Sequence, residues 1–146
     1  MSIHYRISPE LGIAFMFCEG VVSDVEYFNA VKTMYNEETY QIGMRRIVDL
    51  FSATESVSVE GMRAVIQYRE TMTEKGIKFE HVILLTYSTT IYIFVKTMKL
   101  LSTKANMKFE AASSLDEAIS ILGFQEKQQA ITDFYTQSKH KLETAS

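Results

Sequence analysis

Apolar residues gather along this chain in two rhythms. Continuous runs at Tyr5–Ile7, Ile13–Cys18, Ile47–Leu50 and Val82–Leu85 have the length and composition of strands. Between them, apolar positions recur every three or four residues, as on the buried face of a helix. Ser8-Pro9-Glu10-Leu11-Gly12 parts the first two runs with turn residues, so the chain opens on an antiparallel hairpin. Ser23 and Glu26 form a capping box, with Val22 and Tyr27 as its hydrophobic staple. Tyr27, Phe28, Val31, Met34 and Tyr35 then predict a first helix over 24–36.

Ile47-Val48-Asp49-Leu50 reads as a buried strand, started by a solvated Arg45-Arg46 pair and followed by a Ser/Thr-rich loop over 52–58. A second helix carries Met62, Val65, Ile66 and Met72 on one face and stops at Lys75-Gly76, glycine being favoured just past a helix end. After Val82–Leu85, the stretch 87–90 caps a third helix with Ile91, Phe94, Val95, Met98 and Leu101. Met107–Ala111 alternates apolar and charged residues, as an outer strand does. Ser114 and Glu117 make a second capping box, opening a short helix that ends at Gly123. From Phe124 to about Leu142 only Phe124, Ile131, Phe134 and Tyr135 break a polar stretch, a terminal helix resting on the domain by a narrow stripe.

The order β-β-α-β-α-β-α-β-α-α implies an α/β fold with a mixed, mostly parallel five-stranded sheet and an N-terminal antiparallel hairpin. If the strands are laid down in sequence, right-handed crossovers put the helices mainly on one face. The other face then needs a partner, a tail or polar residues. At 146 residues one domain is expected, 1–123, with 124–146 as a helical extension packed on it.

Composition removes several function classes. Fifteen Lys/Arg are scattered among eighteen Asp/Glu, a net charge of −3, so the basic footprint of a nucleic-acid binder is missing. Neither an apolar run long enough to span a membrane nor a secretory leader is visible. Cys18 stands alone, which excludes an intrachain disulfide and suits a reducing cytoplasm.

Two stretches carry a family resemblance: the Val48-Asp49-Leu50 strand and the ending Ser114-Leu115-Asp116-Glu117-Ala118 through Leu122. With the element order, they make residues 3–122 resemble the SpoIIAA-like STAS proteins. The resemblance implies a small non-enzymatic module, with a fold shared with anti-sigma-factor antagonists and related to lipid-transfer domains. In the antagonists an Asp-Ser-Ser-Gly turn opens the second helix and holds a phosphorylatable serine. Here that turn falls on Val57-Ser58-Val59-Glu60, where Ser58 matches one hydroxyl and the Asp, second Ser and Gly are absent. Ser58 is therefore expected to be a helix N-cap and not a phosphorylation switch.

The candidate site lies at the carboxyl ends of the inner strands, where open α/β sheets hold ligands and helix N-termini favour anions. Asp49, Ser52, Ser56 and Ser58 follow one strand, and Tyr87, Ser88 and Thr89 follow the next. Ordinary capping explains the hydroxyls equally simply. The Asp49 carboxylate is expected to accept hydrogen bonds from the loop or helix that follows. The third helix has apolar residues to spare: Tyr92, Ile93 and Leu100 remain once its core stripe is assigned. With Phe134 of the terminal helix they are expected to form one surface for self-association, giving a homodimer. Eight Met and eight Tyr leave room for a second reading, a carrier of a small apolar or amphipathic, lipid-like ligand.

Enzyme chemistry has no visible support. Cys18 sits in an apolar strand, where a structural thiol is expected, and His4, His81 and His140 have no metal-ligand spacing. Phosphate loops and nucleophile elbows are missing. The sequence thus points to a binding or regulatory module acting on a protein partner, with no cofactor and no metal.

Overall fold

A computed structural model describes residues 2–41, 43–55, 57–74, 79–101 and 106–145, the side chains of 73–74, 100–101 and 145 excepted. Strand β1 (Ile3–Ser8) turns back into β2 (Ile13–Val21), followed by α1 (Asp24–Tyr35), β3 (Arg45–Glu55) and α2 (Val59–Glu74). Then come β4 (Glu80–Leu85), α3 (Thr89–Leu101), β5 (Met107–Ala112), α4 (Leu115–Leu122), a 3₁₀ turn at Gln125–Lys127 and α5 (Gln128–Ala145). The sheet order is β1-β2-β3-β4-β5, with only the β1–β2 pair antiparallel. The expected mixed sheet and hairpin are both present.

Because the strands are laid down in sequence, the crossovers α1, α2 and α3 fall on one face. Tyr27, Val31, Met34, Met62, Val65, Val95 and Met98 bury there against Met16, Val48, Leu84 and Phe109. α4 follows the last strand and is not a crossover, so that constraint does not bind it. With α5 it covers the opposite face, where Ala118, Ile119, Leu122 and Ile131 bury against Phe15, Phe17, Ile47 and Ile83. Cover on both faces explains why the inner strands read as unbroken apolar runs and not as alternations.

Both capping serines act as expected: the Ser23 hydroxyl accepts the Glu26 N–H and that of Ser114 accepts the Glu117 N–H, each at 3.1 Å. The reciprocal bonds go elsewhere. The Glu26 carboxylate accepts the Ser2 N–H at 3.1 Å, tying β1 to α1, and Glu117 accepts the Ser113 hydroxyl. Gly123 closes α4 at φ +75°, a left-handed conformation open to glycine at no steric cost.

Three expectations fail. β3 runs on to Glu55, through what reads as a loop, because Ser52, Ala53 and Glu55 pair with Glu19, Gly20 and Val21 beyond the end of β4. Having β2 as a neighbour and no β4, that extension tolerates polar residues. Arg46 is fully buried and not a solvated strand start, because Glu80 at the start of β4 faces it. Phe134 and α3 do not share a surface: Phe134 packs on Phe15 at 6.0 Å between ring centroids, on the face opposite α3. The helix stop at Lys75-Gly76 lies outside the described residues.

Candidate functional site

The parallel strands end on one edge of the sheet, and α1, α2 and α3 begin there. Asp49 sits near that edge, but its side chain points toward α5 and is buried. One carboxylate oxygen accepts the Phe51 N–H at 3.0 Å, a donor within β3 itself and not in the loop or helix expected to supply it. The other accepts the Tyr135 hydroxyl at 2.6 Å and lies 3.0 Å from the Lys139 ammonium. Burial, joined by the hydrogen bond to Asp49, pushes the Tyr135 phenol up to about 12. Burial works against the Lys139 charge, but its bonds to Tyr135 and Asp49 outweigh that and raise its pKa. Asp49 is thus the anchor of the terminal helix and not an open ligand contact.

Ser58 is the N-cap of α2, its hydroxyl accepting the Gly61 N–H at 3.1 Å. It also donates to the Asp24 carboxylate, through the hydroxyl at 2.5 Å and through its backbone N–H at 2.9 Å. These two bonds hold the Asp24 carboxyl below its ordinary pKa. A Cβ at position 61 would lie 2.4 Å from Asp24 Cγ, so glycine is what lets the first residue of α1 close on the start of α2. The sequence does carry that signal, an isolated glycine inside a helical pattern.

The remaining hydroxyls do not converge. Ser52, Ser88 and Thr89 are exposed, and among the described residues no hydrogen bond joins them to one another or to Ser58. The Ser88 N–H is satisfied by the Thr86 hydroxyl at 3.0 Å. Ser56 and the Leu100 side chain lie outside the described residues. What the edge does present is apolar: Tyr87 is 77% exposed and Ile93 61%, with Val25 at 71% on the first turn of α1. Tyr92 is exposed as well, and the Tyr87 ring stacks on Phe51 at 4.5 Å. A groove of about 320 Å³ runs between the first turns of α1 and α2, lined by Val25, Phe28, Ala64 and the Asp24 and Glu60 side chains. The void in the core beneath α1–α3, next to Tyr27, Leu50, Met62 and Phe94, is only about 10 Å³.

No protein-family model matches the chain, and no curated protein matches it. Among solved structures it is similar to an uncharacterized protein of the DUF3478 family with a SpoIIAA-like fold, from Shewanella loihica PV-4. The two chains are 10% identical, and the match covers 82% of this chain and 91% of that one at a TM-score of 0.55. The fold is SpoIIAA-like. At that identity the likeness fixes architecture alone.

Within the SpoIIAA-like frame, one cluster has no counterpart in the sequence reading. Glu80, buried at the start of β4, lies 3.5 Å from the Arg46 guanidinium and 3.9 Å from that of Arg69. It accepts the Tyr35 hydroxyl at 2.6 Å and the Tyr40 hydroxyl as well. Both guanidiniums stand 5.7 Å from the Tyr35 ring. Burial pushes the Glu80 carboxyl up to about 8, with the Tyr35 hydrogen bond opposing it. The two guanidiniums and the second phenol beside it also favour the charged form, against burial. Pairing across 34 positions leaves no local pattern, and the Arg-Arg dipeptide imitates a solvated turn. Burial, reinforced by the Asp49 charge, pushes the Cys18 thiol up to about 12. His81 pairs with Glu110 at 2.5 Å, and no metal-binding group of three is found among the described residues. No described helix is long and apolar enough to cross a membrane.

Proposed function

We propose that this protein is a non-catalytic STAS-like binding module that meets a protein partner on the carboxyl edge of its sheet. The observation that carries the reading is the exposure at that end of Val25, Tyr87, Tyr92 and Ile93, large apolar side chains left in solvent, Val25 lining the α1–α2 groove. Exposed apolar groups clustered at one end of a domain are the usual mark of an interface. The polar groups at the same edge support it by default. Asp49 is committed to α5 and Ser58 to Asp24, so neither is poised for chemistry on a substrate. The thiol of Cys18, buried and pushed up to about 12, is a poor nucleophile. The core void beneath α1–α3, about 10 Å³, holds at most one water, so an apolar ligand is not carried there.

The test pairs two measurements on freshly purified protein. Native mass spectrometry should show no lipid-mass adduct. Affinity capture from the cell of origin should recover a partner that Tyr87→Asp with Ile93→Asp loses at unchanged melting temperature. A stoichiometric lipid adduct, or a captured set indifferent to both substitutions, overturns the reading. Sedimentation of the same variants separates a foreign partner from a second copy of this chain.

A further inference from the structure

A second surface lies on the other side of the molecule, along β1. That strand is an edge of the sheet, and its ladder can be phased. The Glu19 N–H donates to the Ser2 carbonyl at 2.8 Å, and His4, Arg6 and Ser8 stand opposite Phe17, Phe15 and Ile13. In an antiparallel ladder alternate residues aim both backbone groups at the partner strand. Ser2, His4, Arg6 and Ser8 therefore face β2, and Ile3, Tyr5 and Ile7 turn their N–H and C=O outward. The side chains of those same three residues belong to the α1 face of the sheet. Between them and α1 runs a groove of about 320 Å³, lined by Ile3, Tyr5, Ala30, Thr33, Asn29 and Glu26. An open backbone edge and an apolar groove thus coincide on one strand.

Charge selects the occupant. Glu26, Ala30 and Thr33 follow one another at four- and three-residue steps, so they share the face of α1 that overlooks β1. Glu37, in the turn beyond the end of α1, is brought to the same groove by its 2.5 Å hydrogen bond from the Tyr5 hydroxyl. The groove is therefore apolar in the middle and acidic at both ends. Thr33 stands about 10 Å along the axis from Glu26, seven helical steps on, and Glu37 lies beyond the helix end. In an added strand, residues i and i+4 stand about 13 Å apart, within reach of long side chains. A second copy of β1 fits less well. In the two-fold register centred on Tyr5, Tyr5 stands against Tyr5, both Glu37 carboxylates gather at the junction and His4 opposes Arg6.

We propose that β1 takes up an extended segment of another protein as a sixth strand, one reading basic–x–apolar–x–basic on the side facing α1. Backbone bonds to Ile3, Tyr5 and Ile7 supply affinity, the groove takes the apolar side chain, and Glu26 and Glu37 pair the cations. The experiment selects heptapeptides displayed on phage against the full-length protein, with Ile7→Pro as counter-bait. Proline at this edge position removes an outward N–H and spares the ladder to β2. Thr33→Arg, which fills the groove from an exposed site on α1, is a second blocked form should Ile7→Pro melt early. Expected are peptides enriched in the basic–x–apolar–x–basic pattern that bind each folded blocked form and Glu26→Lys/Glu37→Lys at least tenfold more weakly. No enrichment, a different pattern, or peptides that ignore these substitutions overturn the proposal. So does a dimer in sedimentation that the blocked forms dissociate, since the occupant would then be a second copy. These residues are distinct from Tyr87 and Ile93, so failure here leaves the carboxyl-edge reading standing, and the reverse.

Discussion

Replacing Asp49 with alanine tests whether the terminal helix is held by one buried carboxylate. The substitution strips three interactions at once. The Tyr135 hydroxyl, half-buried and 2.6 Å away, loses a charged acceptor, a bond of about 1.5–3 kcal/mol. The Phe51 N–H loses a local acceptor at 3.0 Å, about 1 kcal/mol. Lys139 is 35% exposed, so solvent screens its ion pair to about 0.2–1 kcal/mol. Relief from burying the charge offsets part of the sum, leaving a net loss of about 3 kcal/mol. Unfolding entropy near 2.1 cal/mol/K per residue gives about 0.3 kcal/mol/K for a chain of 146 residues, so the midpoint should fall by about 10 °C. The decisive assay is a double-mutant cycle by urea denaturation with Asp49→Ala, Tyr135→Phe and the pair. A shared bond requires a coupling of at least about 1 kcal/mol. Additive losses, or an Asp49→Ala midpoint within about 2 °C of the parent, would refute the anchor.

Other expectations are simpler. Asp24 has its pKa lowered by the Ser58 bonds, so its contribution is present above the ordinary carboxyl value of 3.8 and is lost as pH falls through the folded-state value. Asp24→Ala should cost about 1 kcal/mol near neutrality, the scale of a helix cap, with the gap to the parent closing in acid. Gly61→Ala, whose methyl would displace the same carboxylate, should show the same flattened acid limb despite alanine's better helix propensity. A pH-independent gap in chemical denaturation would argue against the clamp. Glu80→Ala leaves Arg46 and Arg69 facing each other in the core and should cost about 3–5 kcal/mol, read from the urea midpoint. The Cys18 thiol, buried and pushed up to about 12, should resist iodoacetamide at mildly alkaline pH until urea unfolds the chain. Labelling of the native protein, followed by mass spectrometry, would contradict that.

What the sequence made legible was local. Ser23 and Ser114 announced two helix starts within three residues of their partners, and Val82–Leu85 is apolar enough to need no context. Ser58 as an N-cap followed from residue type and position. What stayed hidden depends on which way a side chain points and on what meets it from far along the chain. In a strand buried on both faces, the apolar run does not show whether Asp49 turns toward α2 or α5, and its partner Tyr135 is 86 positions away. Arg46 looked solvated because Glu80 is remote. The surplus on α3 is real at Ile93, but the terminal helix that seemed ready to share it lies across the sheet.

The position of α5 also sets an order of events during synthesis. Ile13, Phe15, Phe17 and Ile47 are all translated before residue 50, yet the helices that cover them begin at Leu115. At ribosomal speeds of roughly 5–20 residues per second, that face waits about 3–15 s for its cover to be made. Through that interval a nascent chain displays a stripe of aromatic rings of the kind that chaperones hold. A bulky fusion at the C-terminus that slowed α5 would therefore take effect at the far end of the sequence, on β2.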